Sequence, residues 1–285
     1  MRISLFAPVI SPINDAGYLR ALARGAEERG FHGIWLGAHV VLFDQYEAQY
    51  PYQDDGRIPV GVENGLLEPI TALSYMAAVT ERIRLGTGIC LVPQRNPVYT
   101  AKEIAAVDYL SGGRVDFGVG VGWLKEEFDA LGVPFERRGA RCREYLEVIG
   151  TLWADEVSSF SGNFYELPPC RQYPKPIQRP GPPIYFGGES TAALRRVADI
   201  GQGWYGFNVA PEDVAGYLEQ LNGLLAENER SRSEIEVVIG PYGHKLNPER
   251  AGQYEDAGVD QLVGLIVGRD LDELERWLDR LAEYI

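Results

Sequence analysis

Three stretches of the chain carry residue types whose spacing suits chemistry at a bound ligand. In GIWLGAHVVL, His39 stands just past a β-branched run, where an imidazole that titrates near neutrality can give or take a proton. His32 precedes that run and His244 follows a later one, so His39 is the candidate acid or base; the competing reading is a histidine that packs a loop. The second set lies in GTGICLVPQRNP and GVGVGWLKEEF: Thr87, Gly88, Ile89 and Cys90, then Gly120, Val121, Gly122 and Trp123. Glycines at run ends let a backbone approach a flat ligand, or else make a bulge or a tight turn. Trp123 either stacks on a planar group or fills the rim of the core. The third stretch, PPIYFGGESTAALRRVADIG, sets Gly187, Gly188, Glu189 and Ser190 between a short apolar run and a helical pattern. Free N–H groups at that helix start form an anion site, unless Gly188 only turns the chain and Ser190 only caps the helix. Glu189 is expected to point away from such an anion, and Arg95 is a further anion candidate or a solvated loop charge.

What is missing narrows the chemistry. There is no HxH, HExxH or GxSxG, three scattered histidines are too few for a metal centre, and none of the four lysines stands at a run end where a Schiff base is expected. Gly118, Gly120 and Gly122 do not make a dinucleotide fingerprint, because Trp123 stands where the third glycine belongs. A chain so short of self-sufficient catalysts points to chemistry delegated to a cofactor. A formal charge of −14 repels nucleic acid and anionic membranes, so any anionic ligand must be held by local groups. Cys90, Cys142 and Cys170 are odd in number and far apart, which fits a reduced, cytoplasmic protein. The opening MRISLFAPVI lacks the length and cleavage site of a signal peptide, and no window is apolar enough to span a bilayer.

The elements that must position these residues alternate. Strands are expected at Ile3–Ala7, Gly33–Leu36, Ile83–Thr87, Val115–Val119, Ile184–Phe186, Gly203–Gly206, Ile235–Ile239 and Gln261–Leu265. Helices are expected at Asp15–Arg29, Pro69–Thr80, Pro97–Leu110, Lys125–Leu131, Arg137–Ala154, Thr191–Ile200, Pro211–Asn228, Pro248–Ala257 and Leu271–Tyr284, the last with Asp270 and Glu273 as a capping box. Eight βα units in one domain over residues 1–285 fit an α/β fold of the (β/α)8 TIM barrel type, with insertions after strand 2 (Val40–Glu68) and before strand 5 (Val157–Gln178). The second insertion is expected to hold a hairpin, Ser158–Phe160 with Phe164–Glu166, and both insertions to wall the site and set specificity. Phe6, Trp35, Trp123, Trp204 and Phe207 are expected to line a dry pocket at the mouth. The 33 glycines and 18 prolines fit many tight connections and, at the ends of strands 3, 4 and 5, bare backbone for a planar ligand.

With these residues in view the chain resembles the bacterial luciferase-like monooxygenase family, in the branch of coenzyme F420-dependent oxidoreductases. The likeness rests on the strand 2 histidine, GTGICLVPQRNPVYTAKEIAAVDYLSGGR, GVGVGWLKEEFDALG, PKPIQRPGPPIYFGGES and GVDQLV, and spans nearly the whole chain. The resemblance implies a barrel holding F420 or, as the alternative, FMN with its ring at the mouth. It implies His39 near the reactive edge, Gly88 to Cys90 as a bulge under one ring face, often with a non-prolyl cis peptide, Gly120 to Trp123 beside the ring, and Gly187, Gly188 and Ser190 at the phosphate. It also implies a homodimer acting on a small organic substrate by hydride transfer, an FMN monooxygenase being the alternative and a non-catalytic cofactor carrier the third reading. Where some deazaflavin dehydrogenases of the family place a catalytic carboxylate, this chain has Trp123, so the sugar-phosphate chemistry of that subgroup is not expected here.

Overall fold

The computed structural model describes residues 1–61 and 63–285; Val62, inside the first insertion, lies outside the described residues. Eight parallel strands form a closed barrel: β1 (Arg2–Phe6), β2 (Gly33–Leu36), β3 (Arg84–Thr87), β4 (Val115–Gly120), β5 (Ile184–Gly187), β6 (Gly203–Phe207), β7 (Glu236–Gly240) and β8 (Gln261–Leu265). Each pairs with the next, and Arg2 to Phe6 of β1 run beside Gln261 to Leu265 of β8 to close the ring. Nine helices surround the strands among the described residues: α1 (Ala16–Glu28), α2 (Pro69–Ala77), α3 (Pro97–Ser111), α4 (Lys125–Ala130), α5 (Arg138–Ala154), α6 (Thr191–Ile200), α7 (Pro211–Glu227), α8 (Pro248–Asp256) and α9 (Leu271–Ala282).

Local chemistry starts and stops these helices. Pro97 opens α3 behind Asn96, whose side chain accepts from the N–H groups of Val98 and Tyr99, and Gly112, at φ 73°, turns the chain out of it. At α9 the Asp270 carboxylate accepts from Glu273 N at 2.8 Å. The expected capping box is displaced by one residue: the Glu273 carboxylate takes the N–H of Arg269 rather than that of Asp270, and also pairs with the Arg269 guanidinium.

The barrel interior is layered. Trp35, Tyr185, Tyr205, Val238 and Val263 fill the middle, with Phe6, Ile89 and Phe207 packed on their upper side. A polar layer closes the end where the strands begin. Trp35 Nε1 donates to Gln261 Oε1 at 2.8 Å, Gln261 Nε2 to Glu236 Oε1 at 2.9 Å and Tyr185 OH to Glu236 Oε2 at 2.8 Å, while Arg84 Nε reaches Asp116 Oδ2 at 2.7 Å. Buried polar groups require such partners, and this layer leaves the opposite end, where the strands finish, for a ligand.

Two expectations about the second insertion are corrected. Its hairpin pairs Ser158–Ser161 with Glu166–Cys170, so the second strand begins later than expected. The connection is longer because the Glu144 carboxylate of α5 gathers the N–H groups of Asn163, Phe164 and Tyr165. Nor does this insertion wall the mouth. Gln172 donates to Val98 O in α3, Lys175 to Leu152 O in α5, and Gln178 to Val115 O at the start of β4, so the segment runs along the outside of the barrel and into its lower end. A connection that enters a strand must arrive at the end opposite the mouth, whereas the insertion after β2 leaves from the mouth end.

Candidate active site

After β3 the chain carries one extra residue. Gly86 faces Asp116 and Cys90 faces Val119, so three residues on this strand oppose two on β4, a β-bulge at Thr87, Gly88 and Ile89. Thr87 Oγ1 donates to Gly118 O at 2.6 Å across it, and the Gly88–Ile89 peptide is cis, in line with the resemblance. A Cβ on Gly118 would lie 1.9 Å from Thr87 O, so the bulge requires glycine opposite.

The bulge turns Ile89 across the ends of β4 and β5. A Cβ on Gly120 would meet Ile89 Cδ1 at 2.0 Å, and one on Gly187 would meet it at 2.8 Å. These glycines therefore make room for Ile89, which forms the floor of the mouth, instead of offering bare backbone as expected. Thr87 and Cys90 are buried beneath that floor; burial pushes the Cys90 thiol up to about 12, and its side chain belongs to the outer core. Val121 likewise packs toward the outer core. Gly122 adopts φ 79°, its carbonyl accepts from Arg138 Nε at 3.0 Å, and a Cβ there would press on Phe128.

His39 stands three residues past β2 with its side chain 9% exposed, and its Nδ1 lies 3.3 Å from Glu127 Oε2. Sequence reasoning missed Glu127. It lies in the first turn of α4, with no exposed side-chain surface, and accepts from Gln94 Nε2 at 3.0 Å through Oε2 and from Val40 N at 2.6 Å through Oε1. Burial pushes its carboxyl upward, but the bonds from His39, Gln94 and Val40 outweigh this and hold it below the usual carboxylate range. The signal was present in LKEEF: Glu127 shares the buried side of α4 with Phe128, and a buried carboxylate there must have partners nearby.

An aromatic cover lies over the mouth. Trp123 stands 5.8 Å from the His39 ring, and Tyr50, from the first insertion, packs on it at 5.3 Å. Tyr52 continues the row to Phe207 at 4.9 Å, and Phe207 meets Phe6 at 5.2 Å. Of the five aromatics expected here, Phe6, Trp123 and Phe207 reach the mouth. Trp35 lies one layer below, and Trp204 faces outward, donating to Gly188 O at 3.0 Å and packing on Tyr217 of α7. Arg95 is held by Glu68 and Glu103, so it is not a free anion ligand.

At the β5 corner Gly188 takes φ 106° and Ser190 caps α6 by accepting from Ala193 N at 3.2 Å. Among the described residues, the N–H groups of Ser190, Thr191 and Ala192 have no acceptor, and these residues are exposed. An open, positive helix end of this kind can cradle an anion. The Glu189 carboxylate turns from it as expected, accepting from Phe207 N at 2.8 Å and from Tyr52 OH at 3.3 Å, and burial raises its pKa. A flat, phosphate-bearing cofactor fits these residues. The cradle suits its phosphate, Ile89 floors the mouth beside Gly120 and Gly187, and beneath Gly88 the fully buried Tyr205 hydroxyl lacks any partner among the described residues. A cavity lined by Ala7, Val9, Ile13, Asn14, Ile266 and Val267 opens at the same end, between the turns that follow β1 and β8.

The His39–Glu127 pair, the aromatic row and the open start of α6 thus share the end of a (β/α)8 barrel where the strands finish. The chain matches the luciferase-like monooxygenase family over residues 1–282 and belongs to it. An uncharacterized protein of Mycobacterium tuberculosis is 31% identical over 265 residues, 92% of each chain. The FMNH2-dependent dimethylsulfone monooxygenase of Pseudomonas putida is 29% identical over 231 residues, 80% of this chain and 58% of that protein. The coenzyme F420-dependent tetrahydromethanopterin reductase of Methanopyrus kandleri shares the fold, with TM-score 0.76 at 19% identity over 100% of this chain and 99% of that one. Among the described residues no helix is long and apolar enough to cross a membrane.

Proposed function

We propose that the protein is an oxidoreductase that moves a hydride between a small organic substrate and a deazaflavin of the F420 type, with His39 handling the accompanying proton. The observation that carries this reading is the His39–Glu127 pair, 3.3 Å apart, beside Trp123 at the same barrel mouth as the open α6 cradle. When bound, a deazaflavin supplies the two-electron chemistry. The N–H groups of Ser190, Thr191 and Ala192, with Gly187 and Gly188 making the turn before them, hold its phosphate. Ile89 supports one face of the ring and Trp123 borders it, with Tyr50 and Tyr52 excluding water from above. When a hydride leaves or reaches a carbon bearing oxygen or nitrogen, a proton must leave or reach that heteroatom, and His39 takes or gives it.

FMN with reduced-flavin oxygenation is the second reading, supported by the 29% identity to the dimethylsulfone monooxygenase. On either reading we place the protein in the cytoplasm, which its unpaired cysteines support, and as a homodimer, which the exposed Tyr99 and Leu110 on the outer side of α3 support. The test is a His39→Asn protein: cofactor affinity should stay within about threefold while hydride transfer slows by about 10²–10⁴-fold, the usual worth of a positioned acid or base. Transfer at the wild-type rate would overturn the role of His39.

A further inference from the structure

We infer that Glu127 is the positioning residue of the site, a single carboxylate that fixes the protonated nitrogen of His39 through one oxygen and the root of the mouth-covering insertion through the other. The inference rests on reading His39 as the proton-handling group. Four donors converge on the two oxygens. Oε2 receives Gln94 Nε2 at 3.0 Å and lies 3.3 Å from His39 Nδ1; Oε1 receives Val40 N at 2.6 Å and Val41 N at 3.4 Å. An ionised carboxylate only accepts, so His39 Nδ1 must carry the hydrogen and Nε2 is left as the atom that exchanges a proton. Gln94, itself 8% exposed, orients the carboxylate from the turn after the bulge. The next residue back strengthens the clamp, since Glu126 Oε1 accepts from Glu47 N at 2.8 Å further along the insertion. The ends of β2, β3 and β4 are thus tied at one side chain, and the tautomer of His39 and the seat of the Tyr46–Tyr52 cover are set together.

An amide in place of the carboxylate cannot serve both sets of donors, because it offers one accepting oxygen and a donating NH2. The test uses the full chain without cofactor. Long-range proton–nitrogen spectra report imidazole tautomers, and with three histidines in the chain the His39 signals are assigned by their loss in a His39→Gln protein. The wild type should show the Nδ1–H form of His39 and slow exchange of the Val40 amide. In Glu127→Gln, either His39 changes to the Nε2–H form or Val40 exchange accelerates by roughly 10-fold or more, the worth of a hydrogen bond to a charged group. An Nε2–H form in the wild type overturns the inference without any variant, even if Glu127→Gln fails to fold. A Glu127→Gln protein with both readouts unchanged overturns it as well. Neither readout involves cofactor or turnover, so the result stands apart from the hydride-transfer proposal.

Discussion

Replacing Gly120 with alanine would put a methyl group 2.0 Å from Ile89 Cδ1, closer than real Cβ contacts come. The methyl would also stand 3.1 Å from Ile89 Cγ1, so relief means turning the Ile89 side chain out of the gap that Gly120 and Gly187 leave for it. Overpacking of this kind costs about 1–3 kcal/mol, which lowers a thermal midpoint by roughly 2–4 °C per kcal/mol in a chain of this size. If the clash is with Ile89, removing that side chain should relieve it. In an Ile89→Ala background, Gly120→Ala should cost no more than about 0.5 kcal/mol, giving a coupling of about 1–2 kcal/mol in a double-mutant cycle read by urea unfolding. Equal costs of Gly120→Ala in both backgrounds would refute the placement of Ile89 as the floor of the mouth.

Other consequences are as direct. Glu189 has a raised pKa in the folded state, so its charge is a penalty absent below its ordinary value of 4.5 and growing as the pH rises past that value. Glu189→Gln should therefore unfold at higher urea than wild type at pH 7, the gap closing below about pH 4.5; a variant less stable than wild type at pH 7 contradicts this. Asp116 is 2% exposed and paired with Arg84, so Arg84→Met leaves an unpaired buried carboxylate and should cost about 3 kcal/mol at pH 7, measured by denaturant unfolding. A loss below about 1 kcal/mol would mean that water reaches Asp116 freely.

The eight barrel strands were legible to within one residue at each end, from Arg2–Phe6 to Gln261–Leu265. A buried parallel strand is a short apolar run between glycines and polar turns, and that pattern survives in a single sequence. The direction of side chains was harder to read. Trp204 and Tyr205 are adjacent and both buried, yet one faces the helices and the other the barrel interior. Both faces of a barrel strand are apolar, so alternation carries no label for inside. The glycines of β4 and β5 stand at strand ends, but what fills the space beside them is Ile89, a neighbour that the bulge brings there. His39 was legible from its position at a strand end. Its partner Glu127 lies 88 positions along the chain, and nothing local to either residue pairs them.

The most direct measurement of the central claim is cofactor binding by the purified protein, followed by anaerobic mixing of the reduced complex with carbonyl, imine and enone acceptors. The account predicts that F420 binds, that the reduced complex is reoxidised by at least one organic acceptor without oxygen, and that His39→Asn slows this step. Tight FMN binding with no F420 binding, or an F420 complex that stays reduced with every acceptor, would contradict it.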